Sequence, residues 1–303
     1  MPHEHSHAPV GRDLAGYAWL SIAAALVTIG TKSVAAWITD SVSLFSDAAE
    51  SIINLVAALA MLLALRVAAK PPDLEHQYGH TKAEYLSSAL EGMMIFVAAG
   101  AICYAAISRL FSPVMPERLG SGMVISVVAA VINAVVAVVL LRAGQRHNSI
   151  ALLADGKHLL TDIVTTGAVL LGVALVMLTG KAWLDPVVAL IAGVNIAWTG
   201  FGVIRSSADS LLDRALPAAD LGVIDDVLVE FQQQGVRFHG LRTRGASARR
   251  FLDVHVVVPG EWTILRGHEL ADQVESRLRE QLPGLTVVTH IEPDEPECPD
   301  VTE

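Results

Sequence analysis

Residues 155–180 read DGKHLLTDIVTTGAVLLGVALVMLTG. The run is apolar enough to cross a bilayer as a helix, yet Asp155, Lys157, His158 and Asp162 crowd its first eight residues. Ionisable groups inside or at the edge of a span are costly; they face the bundle interior and serve a function. On a helix, His158 and Asp162 lie one turn apart on one stripe, and Asp155, three residues before His158, shares it. Lys157 points elsewhere and has the reach to snorkel toward the surface. A neutral imidazole and a carboxylate offer two ligands to a borderline divalent metal such as zinc. Two ligands do not complete such a site, so another span should carry a matching stripe.

The second apolar run does. In SVSLFSDAAESIINLVAALAML, which begins at Ser41, Asp47, Glu50 and Asn54 repeat the i, i+3, i+7 spacing of Asp155, His158 and Asp162. The inner pair of each stripe gives four candidate ligands: Glu50, Asn54, His158 and Asp162. Asp47 and Asp155 lie one turn nearer their helix starts, and Ser51 is a spare hydroxyl. Single polar residues often serve only as hydrogen-bonding glue between spans. Two stripes with one shared spacing, one holding a histidine, favour a metal site. Lys32, late in the first span, reads as a snorkelling residue with no assigned chemistry.

The rest of the chain supports a membrane setting. Of 303 residues, 53% are hydrophobic and only 17% charged, and the mean hydropathy is +0.51, too apolar for an ordinary soluble enzyme. A net charge of −10 excludes the basic stripe that a nucleic-acid partner requires. Cys103 and Cys298 form no CxxC and give redox chemistry little support. The N-terminus lacks the basic region of a signal peptide, so the first apolar run is expected to be a retained span.

A spanning helix needs about 20 apolar residues, and six stretches qualify: 15–37, 43–66, 86–111, 120–142, 152–179 and 184–204. An even number puts both termini on one side. Arg12, Arg66, Lys70, Lys82, Arg142, Arg146 and Arg205 fall on that side, against Arg109, Arg118 and Lys181 on the other, which predicts cytoplasmic termini. Beyond Ser206 the composition becomes that of a soluble domain. There the spacing predicts a helix with Ile224, Val227, Leu228 and Phe231 on one face, two strands, a second helix and a last strand. The expected organisation is a His-containing tail (1–14), a six-helix all-α transmembrane bundle (15–206), a cytoplasmic α+β domain of order αββαβ (207–295) and an acidic tail (296–303).

On these stripes, spans and elements, the sequence resembles the cation diffusion facilitator family of divalent-metal transporters over nearly its whole length. The resemblance implies a ferredoxin-like, metallochaperone-like C-terminal domain and a transport site at Glu50, Asn54, His158 and Asp162. The second span departs from the family's usual DxxxD or HxxxD by a longer acid and a neutral amide, which leaves zinc, cadmium, iron, manganese and cobalt open. The loop PPDLEHQYGHTKAE resembles a family loop that binds a second ion, implying Asp73, His76 and His80 as its ligands. In the C-terminal domain, His239, His255, His268, His290 and Glu292 correspond to a metal site near a dimer interface. His290 and Glu292, two apart on a strand, point the same way. Lys82 and Asp213 match a charge pair that braces the dimer. His3, His5 and His7 either scavenge metal or belong to a tail with no folded role.

The resemblance thus implies no enzyme, but a homodimeric efflux transporter of the inner (plasma) membrane. Its substrate and regulatory ligand is a divalent ion, zinc first, with protons as counter-ion. A membrane-anchored metal sensor and a channel remain alternatives at this point. A pure anchor, however, has no need of Glu50, His158 and Asp162 inside its bundle.

Overall fold

The computed structural model describes residues 14–39, 42–111 and 121–294; the side chains at 35, 36, 38, 39, 42–50, 121–123 and 173 stand outside that description. His3, His5, His7, Arg12, Arg118 and Cys298 lie outside the described residues, as do the side chains of Asp47 and Glu50. The chain divides into two compact units, one ending at Asp209 and the other running from Ser210.

The first unit contains α1 (Ala15–Thr39), α2 (Val42–Ala68), α3 (Ala83–Phe111), α4 (Ser121–His147), α5 (Ile150–Thr179) and α6 (Leu184–Leu211). All six are long and apolar enough to cross a membrane. Several outrun the apolar stretches that predict them. α4 continues five residues past Arg142, to His147, because arginine and glutamine are good helix formers once the chain leaves hydrocarbon.

Local chemistry fixes α5, which carries the opening stretch. Ser149 caps its start by accepting from the Leu152 N–H, and Gly180 ends it in the left-handed region at φ 70°, as helix caps prefer. The buried Glu84 of α3 accepts from the Ser149 hydroxyl (2.5 Å) and the Ala151 N–H (3.4 Å). A carboxylate therefore sits at the positive end of the α5 dipole.

Small residues let the helices approach closely. A Cβ at Gly156 would lie 2.8 Å from the Leu141 side chain, and one at Gly144 would lie 3.0 Å from the Leu153 backbone nitrogen. Thus α4 and α5 meet nearly backbone to backbone. Gly92 and Gly200 do the same for α3 and α6.

The second unit holds α7 (Ala218–Gln232), β1 (Arg237–Ala246), β2 (Arg249–Pro259), α8 (Ile264–Gln281) and β3 (Leu285–Asp294). The sheet order is β1-β2-β3; β1 and β2 are antiparallel, and α8 provides the crossover that makes β2 and β3 parallel. Ile224, Val227, Leu228 and Phe231 of α7, with Leu270, Val274 and Leu278 of α8, bury against Leu252, Val254, Val256 and Val258 of β2. The odd-numbered residues of β2 project to the opposite face, as the two-residue strand period requires. This is the αββαβ two-layer arrangement that the sequence predicts.

Candidate metal centres

Among the described residues, three groups of side chains are disposed to hold a cation. The most buried lies among α2, α4 and α5. Asn54 Nδ2 donates to Asp162 Oδ2 at 2.5 Å, and Asn54 Oδ1 lies 2.9 Å from His158 Nε2. A carboxylate only accepts, so Asp162 fixes the orientation of the amide. Asn54 Oδ1 is then the acceptor for a proton on His158 Nε2. That tautomer leaves Nδ1 with a free lone pair, and among the described residues the buried His158 Nδ1 has no hydrogen-bond partner. An orphaned buried nitrogen is costly and has the donor chemistry of a metal ligand.

Asn133 of α4 is a further member that sequence reasoning missed; its Nδ2 donates to Asp162 Oδ2 at 3.2 Å. The available signal was a lone amide in the long Val/Ala run between Ser126 and Arg142. Thr165 and Thr166 donate to the Asp162 carbonyl at 2.8 and 2.9 Å. Glu50 lies on α2 one turn before Asn54.

The second group sits in the loop between α2 and α3. Asp73 Oδ1 is 3.4 Å from His76 Nδ1, and Asp73 Oδ2 is 3.3 Å from His80 Nε2. The three side chains offer ligand atoms within 4.8 Å of one another. An Asx turn builds the loop: Asp73 Oδ1 accepts from the N–H groups of His76 (2.7 Å) and Glu75 (3.0 Å). Gly79, at φ 83°, supplies the left-handed residue that the return requires. The His76 N–H in particular holds the Asp73 carboxyl below the usual range, and the Glu75 N–H and both imidazoles act in the same sense.

The third group forms one row across the sheet. His239 pairs with His255, and His255 with His290, in successive strand registers. Ring centroids are 4.9 and 5.1 Å apart. Glu292 bonds His239 Nε2 and His255 Nδ1, each at 2.7 Å, and stands 3.6 Å from His290 Nε2. His239, chiefly, and His255 hold its carboxyl below the usual range. A bulge at Gly240, φ 63°, aligns the row; a Cβ there would lie 3.2 Å from the His255 ring.

The structure does not bring His268 to this row within one protomer. His268 lies on α8, which packs on the other face of the sheet, and it faces Asp272 at 3.5 Å. Lys82 belongs to the first unit and Asp213 to the second. Asp213 stands at φ 56° and lies 3.6 Å from Arg244.

Both units match known protein domains. The description "Cation efflux transmembrane domain" matches residues 18–212, and "Cation efflux protein, cytoplasmic domain" matches 216–294. The chain belongs to the cation diffusion facilitator family. Among other members, the uncharacterised transporter sll1263 of Synechocystis sp. is 48% identical over 277 residues, covering 91% of this chain and 89% of that one. The cation-efflux pump FieF of Pectobacterium atrosepticum is 33% identical, covering 89% and 90%. A solved structure of CzrB, a candidate zinc transporter, is 32% identical, covering 26% of this chain and 99% of its own at a TM-score of 0.24. As a cation diffusion facilitator, the protein is a multi-pass membrane transporter for cation efflux rather than an enzyme. Its polar stripes lie within the transmembrane domain of that family.

Proposed function

We propose that this transporter carries a divalent transition metal, zinc in the first instance, out of the cytoplasm in exchange for protons. The observation that carries the reading is the buried junction of Asn54, His158 and Asp162, with His158 Nδ1 unpartnered among the described residues. Binding requires a neutral imidazole and an ionised carboxylate, and protonation of the same groups releases the ion. Alternating exposure of one site to each side turns that competition into exchange. Glu50, one turn from Asn54, supplies the fourth ligand.

In the same proposal, Asp73, His76 and His80 hold a second ion, and His239, His255, His290 and Glu292 hold a regulatory one. The regulatory ion stabilises a homodimer braced by Lys82 and Asp213, with both termini cytoplasmic. Reconstituted vesicles with an acidic lumen test the proposal. Wild type is expected to accumulate zinc against its gradient, and Asp162→Asn to lose that uptake. Uptake indifferent to the pH gradient refutes exchange and makes the protein a channel. Competition with cadmium, iron, manganese and cobalt ranks the substrates.

A further inference from the structure

α4 brings a polar side chain, Asn133, to a junction otherwise built from α2 and α5. Asn133 is only 7% exposed and stands in the run VVAAVINAVVAVVL, residues 127–140. An amide buried among such neighbours is costly unless it is hydrogen-bonded. Helix packing sets its position. The antiparallel α4 and α5 touch where Gly144 meets Leu153 and Gly156 meets Leu141. About two turns further along the pair, Asn133 meets Asp162.

An amide that only glued helices together could take any acceptor on its neighbour. Asn133 Nδ2 donates instead to Asp162 Oδ2 at 3.2 Å, the same oxygen that accepts from Asn54 Nδ2 at 2.5 Å. A carboxylate oxygen has two lone pairs, so the two amides take both on Oδ2, and neither goes to Oδ1. With Oδ2 so engaged, Asp162 has one oxygen, Oδ1, to give a metal. A carboxylate that binds through one oxygen beside an imidazole keeps the number of ligand atoms low, which suits four-coordinate zinc. Carboxylates that bind through both oxygens serve ions that take more ligands, and manganese favours an octahedral, oxygen-rich shell.

We propose that Asn133 is a specificity-determining residue that acts through Asp162. By sharing Oδ2 with Asn54 it confines Asp162 to one metal-binding oxygen and biases transport toward four-coordinate zinc against six-coordinate manganese. The assignment rests on the reading of this junction as the transport site.

Zinc and manganese uptake into vesicles, each resolved into KM and kcat, tests it in wild type, Asn133→Leu and Asn133→Gln. Leucine fills a similar space and donates nothing. It is expected to lower the KM for manganese relative to that for zinc by at least about tenfold. Glutamine keeps the amide donor and is expected to return the ratio toward wild type. Asn133→Met, equally unable to donate, supplies the same comparison if the leucine variant does not fold. Loss of uptake in equal proportion for both metals overturns the proposal, since Asn133 would then only hold the helices together. A glutamine variant that shifts the ratio as far as leucine does overturns it too. Competition dialysis of zinc against manganese on the detergent-solubilised full-length protein, taken as the difference from Asp162→Asn, reads the same ratio without flux. Absence of flux in wild type sinks the transport reading. In that case a shifted binding ratio in Asn133→Leu still supports the role of Asn133, and an unshifted one overturns it.

Discussion

At the scale of single residues, Asn54 decides the character of the proposed transport junction. A carboxylate there would face Asp162 and repel it; the amide instead donates to Asp162 and accepts from His158. It holds the two ligands in place in the metal-free protein and fixes the imidazole tautomer that presents Nδ1. Replacing it by aspartate exchanges a bond for a repulsion, a cost of about 1–3 kcal/mol before metal binds. A divalent ion reverses the sign by joining the two carboxylates. Asn54→Asp is therefore expected to melt below wild type without metal and to gain more on zinc addition, with zinc binding at least about tenfold tighter, or ~1.4 kcal/mol. Thermal melts with and without zinc measure both effects. The histidine, the aspartate and the amide were legible in the sequence because stripes at helical spacing report a shared face. Asn133 was not, since it is a lone amide in its span and only the packing of α4 against α5 gives it neighbours.

At the scale of elements, glycines set how closely these neighbours meet. Gly156 lies inside the stretch whose charges drew notice, and its role is visible only where α4 crosses α5. A valine there would drive its side chain into Leu141, 2.8 Å from the position of the first added carbon. The helices would part, and the Asn133 bond to Asp162 would lengthen. Gly156→Val is expected to cost about 1–3 kcal/mol and to lower zinc flux without touching a ligand, as melting and vesicle uptake would register.

In the sheet, Gly240→Ala meets both a left-handed backbone, about 1–2 kcal/mol, and the His255 ring. It is expected to weaken metal binding at the histidine row more than His268→Ala does, since His268 lies on the other layer. Titration of the solubilised protein compares the two. The strands and helices of this domain were legible from period-two and helical patterns. The members of the histidine row came only with the resemblance, and not from these patterns, because strand register emerges only when β3 docks parallel to β2.

At the scale of the whole molecule, acid acts on the two exposed centres through their carboxyls. The folded protein holds Asp73 and Glu292 below their ordinary carboxyl values of 3.8 and 4.5. A depressed carboxyl stabilises the fold above its unfolded value and loses that contribution as pH falls through its folded value. Glu292 gives the clearer case, since the imidazoles of two other strands engage it and its ionisation ties β1, β2 and β3 together. The metal-free protein is therefore expected to keep a sheet contribution from Glu292 at pH 6 and to lose it as the pH falls below about 4.5. Glu292→Gln, with no charge to lose, is expected to start less stable at pH 6 and to decline less steeply. Melting of the sheet, followed by its infrared amide band from pH 6 to pH 3.5, distinguishes the two slopes. Parallel slopes would mean that Glu292 does not hold the row together. Metal should act in the same direction as ionisation, because an ion on His239, His255 and Glu292 requires the unprotonated state of all three. Zinc is accordingly expected to raise the melting temperature of wild type at pH 6 and to have a smaller effect in Glu292→Gln, if the ion binds the three strands through Glu292 as proposed.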